Sequence, residues 1–392
     1  MAKQIIIAVE ISDNRLARSI LDVVKGIADV QAAQSFESIL EKGSLAVKTI
    51  PNIIILDGPV EGENFAHKLS SLHKAFPQAF VFVVSADKSP EKIIEVMKMG
   101  VAEYLVTPLP DKILENAIAE VRLKLANTGQ IARGSIYSFI SSKGGLGATV
   151  IAVNTAIALA MNKGKSVALC DLSLQSGDAS VLLDIVPQST IYDLCQNFHR
   201  LDVSFLRASL DKHSSGIDFL AAPQNPEENE EISAEHVATI LDLAKKLYDH
   251  VIVDCTSMFV DDCTVEALKV SDKIFVITDL SVPAVRNTAR LCKLIEKIGI
   301  NPSKLHITVN RYIKGGTLSI EEVETTLNKH IYWFFPNDFN DIVTSINRGI
   351  PLVKHLPSAP FSLNVMEFAK KLLHTQSDPA YRGIKGVFGK TI

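Results

Sequence analysis

The sequence predicts an α/β protein built from two doubly wound parallel-sheet domains. Short apolar runs alternate with amphipathic segments along almost the whole chain, which is the pattern of strands joined by crossover helices. The 392 residues exceed one average core, and a single polar segment interrupts the alternation. No apolar run approaches the roughly 20 residues that cross a bilayer. We therefore expect a cytoplasmic protein.

The first domain is predicted at residues 1–125 and contains five strand-helix units. Its strands are QIIIAV, IADVQAA, NIIILD, AFVFVVSA and AEYLV, and its helices follow at 13–26, 36–47, 62–74, 89–99 and 110–126. Helices of this length between strands imply a parallel sheet that is covered on both faces. The segment KLANTGQIARGS then loses its apolar periodicity, and we place a linker at 126–134.

The second domain is predicted at residues 135–392 and has seven strands. The strands are SIYSFIS, SVALCD, GIDFLAA, HVIVDC, KIFVITD, LHITVN and IYWFF. The predicted helices lie near 149–162, 233–248, 282–298 and 320–328, with further helical runs at 338–347 and 361–374. We expect the tail GIKGVFGKTI to be frayed.

Composition excludes several classes of protein. A hydrophobic fraction of 47% with 21% charged residues is typical of a globular chain with a sizeable core. The net charge of −4 does not suggest a protein built chiefly to coat nucleic acid. No two cysteines have C-x-x-C spacing, so we interpret all five as buried free thiols. They are Cys170, Cys195, Cys255, Cys263 and Cys292.

A glycine-rich turn, SSKGGLGAT, joins the strand SIYSFIS to a small-residue helix. Such a turn aims backbone N–H groups and a helix N-terminus at one point, which suits phosphate oxygens. Glycines are needed because side chains would block that approach. The general pattern G-x-x-x-x-G-K-[ST] is matched only in part, because Ser142 replaces its first glycine and Ala148 replaces its lysine. An ordinary strand-to-helix turn is the alternative.

Lys143 supports the phosphate interpretation. The string KGGLG after an apolar strand resembles the deviant loop K-G-G-x-G-K-[ST] of the MinD/ParA branch of ATPases. The resemblance implies ATP, Mg²⁺ and a homodimer in which Lys143 reaches across to the partner's nucleotide. Ala148 lacks the charge that would touch the β and γ phosphates. Because hydrogen bonds to charged groups contribute about 1.5–3 kcal/mol, we expect ATP binding to be about 10–100-fold weaker but not abolished.

Two strand-end aspartates complete the resemblance. Asp171, the last residue of SVALCD, resembles the Walker A′ carboxylate, and Asp254, in HVIVDC, resembles the Walker B acid that binds magnesium through water. The resemblance therefore implies a metal site at Thr149 and Asp254, and catalytic roles for Lys143 and Asp171. Single strand-end aspartates more often cap turns. The family's D-x-D reads DLS here, and because the Ser173 hydroxyl cannot replace a carboxylate, we predict slow or absent hydrolysis.

The base of the nucleotide is expected near two later motifs. ITVNRY places Asn310 at a strand end, where it matches the family's base-contacting asparagine, whose amide can pair with adenine. FFPNDF, with Pro336, resembles the loop that contacts the same base. The residues implied to bind the nucleotide are Lys143, Gly144, Gly145, Leu146, Gly147, Ala148, Thr149, Val150, Asn310, Arg311 and Pro336.

The order of the two domains carries a further resemblance. Residues 1–125 resemble a flavodoxin-like response-regulator receiver, and a receiver-like domain before a MinD/ParA-like P-loop NTPase domain is similar to the TadZ/CpaE family of tight-adherence pilus assembly proteins. KGGLGAT, DLSLQSGDAS and GIPLVKHLPSAPFSLNV carry this likeness. It implies an ATP-dependent localisation and assembly factor at a cell pole. Its implied partners are the pilus secretion machinery, through which it would associate peripherally with the inner membrane.

The receiver-like domain lacks part of a phosphorylation site. A working receiver needs an acidic pair, a phosphoacceptor aspartate, a Ser/Thr and a lysine after successive strands. The sequence offers Glu10, Asp57 and Ser85, but Thr107 stands where the lysine belongs. We therefore predict a pseudo-receiver used for docking or dimerisation, with Asp57 as an unlikely phosphoacceptor.

Alternative functions remain open at this stage. A ParA-like partitioning ATPase would bind non-specific DNA, and basic residues recur at helical spacing between 282 and 298, although a solvated helix face explains them too. They are Arg286, Arg290, Lys293 and Lys297. We expect no stable nucleic-acid complex. A catalytic ATPase or an electron donor is a third class, but the cysteine spacing gives no cluster signal. The short, glycine-containing tail disfavours a membrane helix.

Overall fold

The computed structural model describes residues 5–27, 30–35, 50–59, 64–128, 134–162, 165–255, 260–315 and 318–374. They form two compact units, one within residues 2–132 and the other within residues 133–392. Within the described ranges, no helix combines the length and apolar character that a membrane span requires.

The first unit contains a five-stranded parallel sheet among its described residues. The strands are β1 (Ile5–Glu10), β2 (Val30–Ser35), β3 (Ile53–Asp57), β4 (Phe80–Ser85) and β5 (Glu103–Val106). Their order is β2-β1-β3-β4-β5, which is the flavodoxin-like order. The chain adds β2 on one side of β1 and β3 on the other, so the order of the strands switches between β1 and β3. The carboxyl ends of these two parallel strands therefore border a crevice.

The helices of the first unit lie where the apolar periodicity predicts them. They are α1 (Asn14–Gly26), α2 (Phe65–Ala75), α3 (Pro90–Lys98) and α4 (Asp111–Asn127). In α1 the buried stripe is Ala17, Ile20 and Val24, and the Asp13 carboxylate caps the helix by accepting from the Arg15 amide at 2.8 Å. The predicted helix at 36–47 lies outside the described residues. Helix α4 continues through the first two residues of the predicted linker.

The second unit contains an eight-stranded sheet among its described residues. The strands are β6 (Ser135–Ser141), β7 (Val167–Leu172), β8 (Asp211–Lys212), β9 (Ile217–Leu220), β10 (His250–Cys255), β11 (Lys273–Thr278), β12 (Leu305–Tyr312) and β13 (Ile331–Pro336). Their order is β13-β12-β11-β6-β10-β7-β9-β8, and only β8 runs antiparallel to its neighbour. The prediction of a parallel sheet is confirmed, with β8 as an added edge strand.

The helices of the second unit include several that the sequence did not indicate. They are α5 (Ala148–Ala160), α6 (Ala179–Leu182), α7 (Ile191–Gln196), α8 (Val203–Ser209), α9 (Ala234–Leu247), α10 (Asp262–Val270), α11 (Val282–Lys297), α12 (Ile320–Leu327), α13 (Phe339–Asn347), α14 (Leu352–His355) and α15 (Pro360–His374). The unpredicted ones, α6, α7, α8, α10 and α14, have nine residues or fewer. Segments with so few turns show only a weak helical period, which a pattern can miss. The tail that we expected to be frayed lies outside the described residues.

Helix α5 lies at the centre of the second unit's core. Its residues from Ile151 to Leu159 are all buried, and they share one apolar cluster with Phe361 and Phe368 of α15. Asn154 is buried among them, but its amide donates to the Val150 carbonyl at 2.8 Å and accepts from the Val353 amide at 3.0 Å. A helix that is apolar on every side is fixed by packing rather than by its exposed surface.

His250, the first residue of β10, is a buried histidine. It is fully buried and stacks on Tyr137 with ring centroids 5.8 Å apart. Neither ring nitrogen has a hydrogen-bond partner among the described residues. Burial lowers the pKa of His250 from 6.5 to about 4, because the charged imidazolium is poorly solvated there. His250 is therefore neutral in the folded protein at neutral pH.

We expect His250 to make the second unit sensitive to acid. Its lowered pKa contributes stability that is complete above pH 6.5 and is lost as the pH falls towards 4. At pH 5 this loss is about 2 kcal/mol. In urea denaturation experiments, His250→Phe should flatten the pH dependence of the free energy of unfolding over that range.

His199 provides the matched control, because it is exposed in the same unit. His199→Phe should leave the pH dependence as in the wild type. An unchanged slope in His250→Phe would show that this histidine is not the acid-sensitive group.

Candidate functional site

The glycine loop, residues 142–147, joins the carboxyl end of β6 to the N-terminus of α5. Gly145 and Gly147 have φ angles of +78° and +88°, the left-handed region that favours glycine. Gly147 is the N-cap of α5, and no side chain caps the first turn of this helix. The first amides of a helix have no partner within it. The N-terminus of α5 therefore offers free N–H groups to an anion, as the sequence predicts.

Lys143 lies in the first half of the glycine loop. The Ser141 hydroxyl donates to its carbonyl at 3.0 Å, and the Ser142 hydroxyl lies 3.1 Å from the Thr288 hydroxyl. These bonds fix the backbone on both sides of the lysine. Among the described residues, the Lys143 side chain forms no ion pair within its own chain, so its ammonium is available to another group.

Two residues at the end of β12 form hydrogen bonds to the backbone of the glycine loop. The Asn310 side-chain amide donates to the Leu146 carbonyl at 2.8 Å, and the Arg311 guanidinium donates to the Gly145 carbonyl at 2.8 Å. The Asn310 side-chain oxygen accepts from the Arg311 amide at 2.9 Å. Arg311 takes the left-handed φ of +53°, unusual for a side chain of its size. The two residues thus form a clamp on two loop carbonyls.

This clamp changes the expected role of Asn310. We expected its amide to pair with a nucleotide base, but the residue is only 4% exposed and both ends of its amide bond within the protein. In this conformation Asn310 positions the loop, and a base contact would require these bonds to open. Pro336 ends β13 and is the register partner of Tyr312, so it lies beside the end of β12.

Ala148 is the first residue of α5, and its side chain packs into the core. It is 7% exposed and belongs to the same apolar cluster as Ile151 and Leu146. The methyl group carries no charge to a phosphate. Lys143 in the loop and Arg311 on the loop carry positive charge there.

Two aspartates lie side by side on neighbouring strands of the second unit. Asp254 of β10 and Asp171 of β7 are register partners, and they are 0% and 1% exposed. The Asp171 carboxylate accepts from the Ser173 amide at 2.9 Å and the Ala179 amide at 3.2 Å. Burial raises the pKa of Asp171 to about 6, although these two bonds oppose the rise.

Asp254 is the unusual member of this pair. Neither of its carboxylate oxygens has a hydrogen-bond partner of normal geometry among the described residues. Burial, reinforced by the nearby Asp171 charge, raises the pKa of Asp254 well above its ordinary value, while the Thr149 hydroxyl lowers it. Buried carboxylates are normally paired or bound to a cation, so Asp254 is the kind of group that a cation would bind.

The residues present fit a magnesium ion. Mg²⁺ is typically bound by one or two protein oxygens together with waters and phosphate oxygens. Asp254 and the Thr149 hydroxyl provide such oxygens beside the glycine loop. The described residues contain no group of three or more His, Cys, Asp and Glu side chains that could hold a metal alone. A site of this kind therefore needs phosphate or water as additional ligands.

Some residues of the site were not indicated by the sequence. Gly177 packs so closely on the Asp171 carboxylate that a Cβ there would lie 2.6 Å from an oxygen. The clamp of Arg311 and the support from Thr288 were also missed. The contact of Arg311 spans 166 residues of sequence, and no local pattern reports it.

The crevice of the first unit contains the residues predicted for a receiver site. The Asp57 carboxylate accepts from the Ser12 amide at 2.5 Å, and Glu10 forms an ion pair with Lys68 at 3.0 Å. The Thr107 amide donates to the Ser85 carbonyl at 2.9 Å. Internal contacts thus already engage the carboxylates of Glu10 and Asp57.

We expect Gly147 to be less replaceable than Gly145. Both would strain an alanine at positive φ, but only at Gly147 would a Cβ meet another atom, the Asn310 amide nitrogen at 2.5 Å. Gly145→Ala should lower the free energy of unfolding by about 1 kcal/mol, and Gly147→Ala by more than about 2 kcal/mol. Chemical denaturation measures both, and equal costs would contradict the clamp.

Comparison with known proteins shows which proteins the second unit resembles. A family model described as an AAA domain matches residues 134–307. A putative septum site-determining protein MinD of Tupiella akineta is 25% identical over 268 residues, which are 66% of this chain and 86% of that protein. The septum site-determining protein MinD of Bacillus subtilis (strain 168) is 25% identical over 244 residues, or 61% and 89% of the two chains.

Solved structures give the same result for the fold. A ParA family ATPase from Chlorobium tepidum TLS is 26% identical with a TM-score of 0.58, covering 60% of this chain and 98% of that one. MinD of Pyrococcus horikoshii OT3, complexed with Mg-ADP, is 18% identical with a TM-score of 0.54, covering 62% and 98%. In sequence and in fold, the second unit resembles MinD proteins and a ParA family ATPase.

Proposed function

We propose that the chain binds ATP and Mg²⁺ at the glycine loop and uses them to control its own assembly, with weak or no hydrolysis. The observation that carries this proposal is Asp254, a fully buried carboxylate that meets only the Thr149 hydroxyl among the described side chains, at the first turn of α5, which no side chain caps. The solved MinD of Pyrococcus horikoshii that resembles this fold is complexed with Mg-ADP.

Each residue of the site has a distinct part in this binding. The amides at Gly147, Ala148 and Thr149 would donate to phosphate oxygens, and Asp254 with the Thr149 hydroxyl would hold the metal. Bound magnesium neutralises part of the triphosphate charge. The clamp of Asn310 and Arg311 keeps the loop carbonyls turned away from the anion.

The same site is poorly equipped for turnover. Ala148 provides no charge to the transferred phosphoryl group, and Ser173 provides no second carboxylate. The remaining acid, Asp171, already accepts two backbone N–H bonds and is 1% exposed. It is poorly placed to take a proton from a water molecule without rearrangement. Retention of the binding elements without these catalytic elements favours a role in binding.

We expect Asp254→Asn to stabilise the protein without nucleotide and to remove its response to MgATP. The substitution replaces a buried carboxyl group, whose ionised form is costly there, by a neutral group of the same shape, which lowers the cost of folding. It also removes the acid that would bind the metal. Thermal unfolding with and without MgATP measures both effects.

The control for this experiment is Asp262→Asn, which changes an exposed aspartate on α10. It should leave both melting temperatures as in the wild type. A full MgATP response in Asp254→Asn would show that this aspartate does not hold the metal.

Lys143 connects nucleotide binding to assembly in this proposal. Its ammonium has no ion-pair partner among the described residues of its own chain, and the resemblance to MinD/ParA implies that it reaches the nucleotide of a second copy. A nucleotide bound by both copies necessarily favours the dimer by mass action.

We expect MgATP to convert the wild type into a dimer and to leave Lys143→Ala monomeric. Light scattering on a sizing column gives the mass, and calorimetry should show that monomeric Lys143→Ala still binds ATP. Lys370→Ala, which removes an exposed lysine from α15, should behave as the wild type. A mass that responds neither to ATP nor to Lys143→Ala would rule out the nucleotide-dependent dimer.

The cellular role that we propose is that of a TadZ/CpaE-like factor for a tight-adherence pilus. It rests on the two-domain order and the motifs given above. In the first unit, Lys68 already neutralises Glu10 and the Ser12 amide engages Asp57, which supports a pseudo-receiver that docks partners. Those partners would be components of the pilus secretion machinery at a cell pole.

A ParA-like partitioning protein is the second candidate. One observation favours it: the basic stripe of α11 forms no ion pair among the described residues. The stripe consists of Arg286, Arg290, Lys293 and Lys297. The groove beside it, of about 390 Å³, is also lined by apolar Val282, Val285 and Val323, which a phosphate backbone does not need.

We expect no ATP-dependent binding of non-specific duplex DNA. Fluorescence anisotropy with MgATP at rising salt concentration tests this. Binding that needs ATP, weakens steeply with salt and is lost in Arg286→Gln/Arg290→Gln would instead establish the partitioning function.

A further inference from the structure

A groove of about 390 Å³ lies between α11 and α12 on the surface of the second unit. Both helices line it, and they pack against each other. The lining residues of α11 begin at Val282 and end at Lys293. These positions span about 16 Å along the helix axis, or about three turns. We refer to this feature as the α11 groove.

The side of the α11 groove that belongs to α11 is basic. Arg286, Arg290 and Lys293 line it at intervals of four and three residues, so they share one face of the helix. All three side chains are exposed, and none forms an ion pair within the part of the chain that the structure describes. The only acid of α11, Glu296, pairs instead with Lys329 at 2.9 Å.

A single carboxylate lies among the lining residues of the α11 groove. It is Glu322 of α12, which accepts from the Ser319 amide at 2.9 Å and from the Ser319 hydroxyl at 2.8 Å. These two bonds form the capping box of α12, so the carboxylate is held at the start of its own helix. Three cations against one carboxylate leave the lining with a net positive charge.

The α11 groove also has an apolar part. Val285 and Val323 are 4% and 1% exposed, and they line it together with Ala289. Val282, at one end of the groove, is 64% exposed. An exposed valine next to buried ones provides apolar area that a partner would remove from water.

Charge and shape together favour one kind of occupant. Nucleic acid offers phosphates to the cations, but its backbone gives no apolar surface to cover Val282. An anionic bilayer also attracts cations, but interfacial helices insert convex apolar faces into it, and this surface is concave. An amphipathic helix with carboxylates beside its apolar face matches both the apolar and the basic part of the groove.

We propose that the α11 groove binds an acidic amphipathic helix of a partner protein. The apolar face of that helix would cover Val282, and its carboxylates would pair with Arg286, Arg290 and Lys293. A helix of about three turns, or roughly 11 residues, matches the length of the groove. This interaction does not depend on nucleotide binding at the glycine loop.

The test begins with a selection from a displayed library of random peptides of about 16 residues on the immobilised full chain, without nucleotide. Peptides that also bind Arg286→Glu/Arg290→Glu are removed, because this variant reverses two of the three groove charges. We expect the retained peptides to carry acidic residues beside apolar residues that recur every three or four positions. Circular dichroism checks that the variant is folded.

Fluorescence anisotropy with the strongest retained peptide then measures the contribution of each part of the groove. Arg290→Glu should weaken binding about 10-fold or more, because it replaces an attraction by a repulsion. Val282→Ser should weaken binding by about 3–10-fold, since it removes apolar contact without a change in charge. Lys370→Glu is the matched control, because it reverses an exposed charge on α15, and its affinity should equal that of the wild type.

Three results would overturn the proposal. They are a selection that retains no peptide, retained peptides without acidic residues, and equal losses of affinity in Arg290→Glu and Lys370→Glu. Duplex DNA and phosphatidylglycerol vesicles test the other occupants. Binding of either one that is lost in Arg290→Glu but unaffected by Val282→Ser would assign the groove to phosphate groups, which also contradicts a helix-binding site.

Discussion

A buried carboxylate with no hydrogen bond of normal geometry in the described part of the chain is the constraint on which the second unit depends. Asp254 lies on β10 between β6 and β7, and the apolar residues of these strands exclude water. A negative charge on its neighbour Asp171 would repel one on Asp254. Taking such a charge out of water costs several kcal/mol. The fold tolerates this because hydrophobic burial in the sheet and in α5 is large. A cation bound by Asp254 would offset the free energy lost when this carboxylate is buried, and this gain would strengthen binding of the cation.

The glycine loop shows how distant segments prepare one anion site. The two left-handed glycines give the backbone its shape, but the orientation of the loop comes from β12, where Asn310 and Arg311 hold two carbonyls. Arg311 itself has a strained left-handed backbone, and its guanidinium lies over the Phe339 ring at 5.7 Å. Local strain at a clamp of this kind is stable only when several contacts enforce it.

The sequence predicted the parts of the structure that repeat locally. Alternating apolar runs located the strands and placed Asp171 and Asp254 near strand ends, and the structure pairs these two residues in register. The sequence could not show that the Asn310 amide bonds to the Leu146 carbonyl, because the two residues are 164 positions apart. The two-residue strand β8 and the short helices carry no period that a pattern could detect. The hydrogen bond from Arg311 to the Gly145 carbonyl joins residues 166 positions apart, so no local sequence pattern could predict it.

The burial of α5 from Ile151 to Leu159 has a consequence for how ligand binding can be transmitted. A helix that is packed on every side cannot rotate or slide without opening cavities, and each cavity of that kind costs several kcal/mol. Displacements that accompany ligand binding are thereby confined to the segments that follow the strands, including residues 142–147 and 173–178. A second protein that senses the occupied state would therefore recognise the rim of these segments, while the centre of the domain remains immobile.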